Sequence, residues 1–237
     1  MPGILLEIVA CTVEDCVAAE SGGADRIELC AAISTGGVTP SLGTLVESKK
    51  RVKIPVIAMV RPRAGGFYYT EEDFAVMLRD AALLVEHGAD GIVFGMLHAD
   101  GSVDTKRCGK IVEIAGDRQT VFHRAFDVVA DPLRAIDELI DLGFARVLTS
   151  GQNKTAYEGR LLIERLIRQA AGRIEVLPGG GVRAHNVLEL VEATGCTQVH
   201  MTAFSAQTDA SNSSSEQVDR EVVERVRERL YEIGNAR

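Results

Sequence analysis

The chain has 237 residues, 46% hydrophobic and 25% charged, with a formal net charge of −8. That length suits one large domain, and the composition supplies a sizeable core, which argues against general disorder. The negative balance argues against a nucleic-acid or anionic-membrane surface, which needs clustered Lys and Arg, but it leaves room for a small basic pocket.

The first ten residues are apolar but carry Glu7 and no basic flank, so they do not read as a signal peptide. No run of about 18 apolar residues occurs, and no membrane span is expected. Five cysteines, Cys11, Cys16, Cys30, Cys108 and Cys196, form no compact framework and suggest reduced thiols and a cytoplasmic location.

In chain order, short runs rich in Ile, Val, Leu and Met are expected as strands. These are Ile4–Val9, Arg26–Leu29, Val56–Val60, Gly91–Gly95, Thr120–His123, Arg146–Thr149, Ile174–Leu177 and Gln198–Met201. Near-continuous apolar content fits strands buried on both faces, as parallel sheets require. Each run is followed by a helix-type pattern. Helix starts are marked by Thr12 ahead of Glu14-Asp15, Thr70 ahead of Glu71-Glu72-Asp73, and Asp131-Pro132. The turn Gly23-Ala24-Asp25 recurs as Gly88-Ala89-Asp90 and, more loosely, at Gly143 and Gly195, each time before a strand. Eight such units make a single (β/α)8 TIM-type barrel over residues 1–237; an open doubly wound sheet is the runner-up. Ala206–Ser215, rich in serine, reads as a mobile loop, either lid or linker, and 216–237 as a C-terminal helix and tail.

Ligands of such barrels bind at the carboxyl ends of the strands, so polar residues there carry the functional signal. Arg61 and Arg63 end the third strand before Gly65-Gly66 and offer forked donors to a carboxylate or phosphate, unless they pair with barrel acids. His123 ends the fifth strand as a candidate acid, base or ligand. Arg124 follows it, and Asp127 either orients His123 or neutralises Arg124. Glu7 and Glu28 lie within apolar strands, where a carboxylate must be paired, protonated or useful; they serve as acid and base or complete a network with the arginines. Gly179-Gly180-Gly181, ahead of a helix expected near Ala184, exposes backbone N–H groups as an anion cradle, and Ser150 adds a neutral hydroxyl to the same rim.

The segments Gly22-Gly23-Ala24-Asp25-Arg26-Ile27-Glu28-Leu29-Cys30, Gly36-Gly37-Val38-Thr39-Pro40-Ser41 and Arg61-Pro62-Arg63 together resemble the CutC copper homeostasis protein family. The likeness continues through Phe122-His123-Arg124-Ala125-Phe126-Asp127, Arg146–Gly151 and Pro178–Val182, in order over roughly residues 5 to 205. The resemblance implies a barrel, a cytoplasmic location and a role in copper handling through Cu(I)-binding cysteines, and soft thiolates suit cuprous ion. Cys30 matches one of the two family cysteines, whereas Val9 stands where the other is expected and Cys11 lies two residues further on. The expectations are thus a copper-binding protein, with copper as the one cofactor or cargo in view, or an enzyme acting on a small anionic metabolite at the mouth. Density of polar groups at the strand ends favours the second. Homo-oligomerisation is left open.

Overall fold

β1 (Leu5–Ala10) belongs to an eight-stranded parallel sheet and lies between β2 (Arg26–Leu29) and β8 (Gln198–Met201). The structure, a computed structural model, describes residues 3–208 and 214–235. The sheet continues from β2 through β3 (Val56–Met59), β4 (Gly91–Phe94), β5 (Gln119–Phe122) and β6 (Arg146–Thr149) to β7 (Glu175–Pro178). Gly179 and His200 form a single parallel bridge between the ends of β7 and β8, which closes the ring. Helices α1 (Val13–Ser21), α2 (Leu42–Arg51), α3 (Glu71–Glu86), α4 (Thr105–Ala115), α5 (Pro132–Asp141), α6 (Arg160–Ala170), α7 (Val187–Thr194) and α8 (Arg220–Asn235) follow the strands in turn. The expected barrel is the fold observed.

Strand parity explains the continuous apolar runs. Ile8, Ile27, Ala58, Ile92, Phe122, Val147 and Val199 pack outward into the layer of helices. Their alternating neighbours Val9, Ile57, Met59, Val93, Val121, Leu148 and Leu177, with Cys30, fill the barrel interior as a separate cluster. Burying such a side chain stabilises the fold by about 1.5–3 kcal/mol each, so much of the interior is a packed apolar plug.

Local signals place these elements. Thr12 accepts a hydrogen bond from Asp15 N at 3.0 Å and Asp15 returns one to the cap, and Thr70 and Asp73 repeat the device before α3. Gly23 and Gly88, at φ +93° and +95°, make the left-handed turns that carry the chain into β2 and β4.

Two expectations near the C-terminus are corrected. Part of Ala206–Ser215, expected as a loop, is sheet: β9 (Phe204–Thr208) pairs antiparallel with β10 (Ser214–Val218), while residues 209–213 lie outside the described residues. The final helix therefore starts at Arg220 rather than Glu216, because Glu216–Val218 are committed to the hairpin. Val218 N donates to Asp15 Oδ1 at 2.8 Å and ties the hairpin to α1. Among the described residues no helix is long and apolar enough to cross a membrane.

Candidate functional site

Inside the barrel, β1, β2 and β8 contribute a buried polar pedestal. Glu7 forms an ion pair with Arg26 and accepts a 2.8 Å hydrogen bond from His200 Nδ1. Arg26 also donates to Gln198 Oε1 at 2.8 Å. Burial opposes the Glu7 charge, but Arg26 and His200 hold its carboxyl well below the usual range. The partner of Glu7 is thus its neighbour across the β1–β2 ladder, not Arg61 or Arg63 as the network reading expected. Burial likewise opposes the charge on His200, yet Glu28 and Glu7 raise its pKa above that of a free imidazole.

Above the pedestal, at the carboxyl ends of the strands, lies a cavity of about 330 Å³. Its polar lining comes from Glu28, Arg61, His123, Arg124, His200 and Thr202, and Gly180, Gly181, Met59 and Phe67 complete much of the wall. Glu28 is 5% exposed and its carboxylate has no hydrogen-bond donor among the described residues. Burial, with the nearby Glu7 charge adding to it and His200 and Arg26 opposing it, pushes its pKa up to about 7.

Arg61 is 4% exposed and is held by the loops after β2 and β3. Its Nη1 donates to Gly37 O at 2.7 Å and Thr35 O at 3.3 Å, and Nη2 donates to Gly65 O at 2.7 Å. The guanidinium lies 5.2 Å from the centre of the Phe67 ring. No carboxylate pairs with it among the described residues, and Nε has no hydrogen-bond partner there. A buried cation neutralised only by carbonyl dipoles is costly unless an anion joins it.

His123 caps the short turn that follows β5, with Nδ1 accepting from Ala125 N at 3.2 Å. The acceptor role of Nδ1 assigns the proton to Nε2, which has no partner among the described residues. Burial and then the Arg61 charge lower its pKa to about 3, so the ring is a neutral hydrogen-bond donor. Phe67 packs on it with ring centres 4.8 Å apart. Gly95 makes room beneath, since a Cβ there would sit 2.6 Å from His123 Nδ1. Gly95→Ala is therefore expected to displace the imidazole, destabilising the fold by about 1–3 kcal/mol. A thermal melt and the shift of the His123 ring resonances check this.

The His123 protonation equilibrium also sets a pH dependence. The unfolded ring takes its proton near pH 6.5, whereas the folded ring waits until about 3. Between these values the unfolded chain binds the extra proton, so this group removes stability as pH falls through the window, by up to about 1.4 kcal/mol per pH unit. Urea midpoints of the parent and His123→Gln from pH 6.5 to 4 are expected to converge as pH falls. Parallel curves contradict a buried neutral ring.

The remaining candidates sit around the rim or away from it. Arg124 Nε donates to Asp127 Oδ2 at 2.8 Å and its Nη2 to Ser150 Oγ at 2.9 Å. Asp127 accepts further bonds from Thr149 Oγ1 at 2.6 Å and Ser150 N at 2.8 Å, which anchors the loop after β6. Asp127 thus neutralises Arg124 and does not touch His123, and neither it nor Ser150 lines the cavity. Arg63 turns outward, 40% exposed, to Asp73 Oδ2 at 2.9 Å and the Tyr69 ring. Gly179 N donates to Thr149 O, and a Cβ at Gly179 would lie 2.6 Å from Leu148 Cδ1. The N–H groups of Gly180 and Gly181 have no partner among the described residues. Five residues separate this loop from α7 at Val187, so the cradle rests on the loop itself and not on a helix start near Ala184.

Cys30 is buried in the barrel interior beside Val9, and its Sγ lies 3.7 Å from Cys11 Sγ. The shared hydrogen bond and burial raise the Cys30 thiol pKa. Two functional residues escaped sequence reasoning. His200 shares the inward parity of Glu7 and Glu28 on adjacent strands, a usable signal that was read only as part of a turn-and-strand repeat. Arg26 was read the same way.

The CutC family model matches residues 4–205. The chain is 51% identical to a CutC family protein of Treponema denticola, over 91% of this chain and 87% of that one. It is 48% identical to the human copper homeostasis protein cutC homolog, over 86% of this chain and 75% of the relative. A crystal structure of CutC from Streptococcus agalactiae superposes with a TM-score of 0.80 at 34% identity, covering 84% of this chain and 98% of that one.

Proposed function

The chain belongs to the CutC family, and on that premise we propose that its barrel mouth binds a small phosphorylated or carboxylated metabolite and performs acid–base chemistry on it. The observation that carries this reading is Arg61, a buried guanidinium at the wall of a cavity with no carboxylate to neutralise it among the described residues. A ligand anion supplies the missing charge. The unpartnered N–H groups of Gly180 and Gly181 and the Arg124 guanidinium add donors on the opposite side of the mouth. The cavity, about 330 Å³, is at the small end for ligand pockets, which favours a metabolite over a macromolecular segment. Glu28, with a pKa near 7, is matched to general-base work, and neutral His123 can polarise a ligand oxygen.

Calorimetry with inorganic phosphate, sugar phosphates and small carboxylic acids tests the reading. Binding that weakens in Arg61→Ala is expected. Absence of binding by every anion, together with a lower melting temperature as the sole effect of Arg61→Ala, refutes it.

A second reading, copper handling, is supported by the name of the human relative and by the 3.7 Å approach of Cys11 and Cys30. Cys11 supplies a second sulfur where Val9 cannot, so Cu(I) is expected to bind as cargo between the two thiolates. In competition titrations Cys11→Ser and Cys30→Ser should each lose most of that affinity. Retention of tight binding by both variants removes this reading.

A further inference from the structure

We propose that Glu28 and His200 form an acid–base pair that moves a proton at a carbon next to the carbonyl group of the bound anion, which makes the mouth an enolisation site. The proposal rests on the anion reading above and adds the reaction and the substrate class, small ketose phosphates and 2-oxo acids.

The geometry begins with the pedestal. Glu7 accepts from His200 Nδ1, so Nε2 is the nitrogen left for chemistry, on a residue that lines the cavity. Glu28 lines the same wall, with one carboxylate oxygen each of Glu7 and Glu28 and one ring nitrogen of His200 within 4.8 Å of one another. Glu7 acts here as a positioning residue, held by Arg26, in the way an acid orients the histidine of a hydrolase triad. The same three residues have the composition of a divalent-metal site, but the charge balance speaks against one. Arg26 already neutralises Glu7 and Arg146 adds a second nearby cation, so a further double positive charge would meet repulsion. Glu28 is left as a carboxylate with no hydrogen-bond donor among the described residues, on the cavity wall it shares with the His200 imidazole.

The opposite wall completes the site. As the C–H bond breaks, the Glu28 carboxylate takes the proton, and the electron pair forms a carbon–carbon double bond while the carbonyl oxygen becomes an enolate. His123 Nε2–H donates to that oxygen, and Arg61 balances the anion. Return of a proton from the Glu28 carboxyl to the same carbon regenerates the carbonyl group and the Glu28 carboxylate. Where the His200 imidazolium delivers it instead, Glu28 passes its own proton to the neutral imidazole, and both groups are restored. Hydrogens and electrons balance, and no oxidant or cofactor is needed.

Proton exchange in deuterium oxide, followed by NMR, reads this step directly. The probes are dihydroxyacetone phosphate, ribulose 5-phosphate and 2-oxobutyrate, with binding measured in parallel. A probe that binds the parent is expected to take up deuterium at the carbon next to its carbonyl. Glu28→Gln should slow that exchange about hundredfold to ten-thousandfold, with affinity kept within a few-fold, and Glu28→Asp should recover part of it. A melting curve for each variant separates loss of chemistry from loss of fold. Binding that depends on Arg61 with exchange no faster than the protein-free control overturns the enolisation proposal and leaves the anion reading standing. If none of the probes binds, the enolisation proposal falls, and the wider anion panel decides the anion reading.

Discussion

Replacing Glu7 by alanine is expected to destabilise the fold by about 3–5 kcal/mol. The reason is the position of Arg26, which is buried and finds its only carboxylate, among the described residues, in Glu7. Removing that partner leaves a guanidinium in the barrel interior with Gln198 as its remaining acceptor, and leaves His200 Nδ1 without one. Water reaches Arg26 poorly, because the residue is 4% exposed in the folded barrel. With total stabilities of about 5–15 kcal/mol for proteins of this kind, the loss is a large fraction of the whole. Urea unfolding measures it, and a loss below about 1 kcal/mol would mean that the pedestal is solvated and the pair weak.

The second large effect is on binding. Arg61→Met is expected to weaken the affinity for a phosphate or carboxylate ligand by about 1.5–3 kcal/mol, the worth of a charge-assisted hydrogen bond. That corresponds to roughly tenfold to a hundredfold in Kd. Arg63→Ala is the matched control. Its guanidinium already pairs with Asp73 and stacks on Tyr69 outside the cavity, so its removal should leave anion affinity nearly unchanged. Calorimetry with the same anion against parent, Arg61→Met and Arg63→Ala distinguishes a specific anchor from a general effect of positive charge. Equal weakening in the two variants would contradict a specific role for Arg61.

The barrel was legible because parallel strands buried on both faces leave an apolar run with little ambiguity. The glycine turns and the Thr12 and Thr70 caps bracketed those runs. The hairpin at Phe204–Val218 was not, because its serine-rich strands lack the apolar alternation that marks a half-buried sheet. Of the residues that line the mouth, Arg61, His123, Arg124, Gly180 and Gly181 were marked by their places at strand ends, and Glu28 by being a carboxylate within an apolar strand. Partner choice was the part that sequence could not supply. Glu7 chose Arg26 because adjacent parallel strands set those residues side by side, and Arg63 turned to Asp73 because the loop after β3 curls back to the start of α3. His200 required the pairing of β8 with β1, a contact spanning nearly the whole chain.

The claim that joins these observations is that the mouth is built around an anion. A crystal structure of the protein grown with a phosphate or carboxylate ligand found by calorimetry tests it most directly. The expected result is an anion whose oxygens lie about 2.7–3.2 Å from the Arg61 guanidinium or from Gly180 and Gly181 N–H, with the rest of the ligand reaching toward His123 and Glu28. An empty mouth at saturating ligand, or an anion bound only outside the barrel end, would contradict the account.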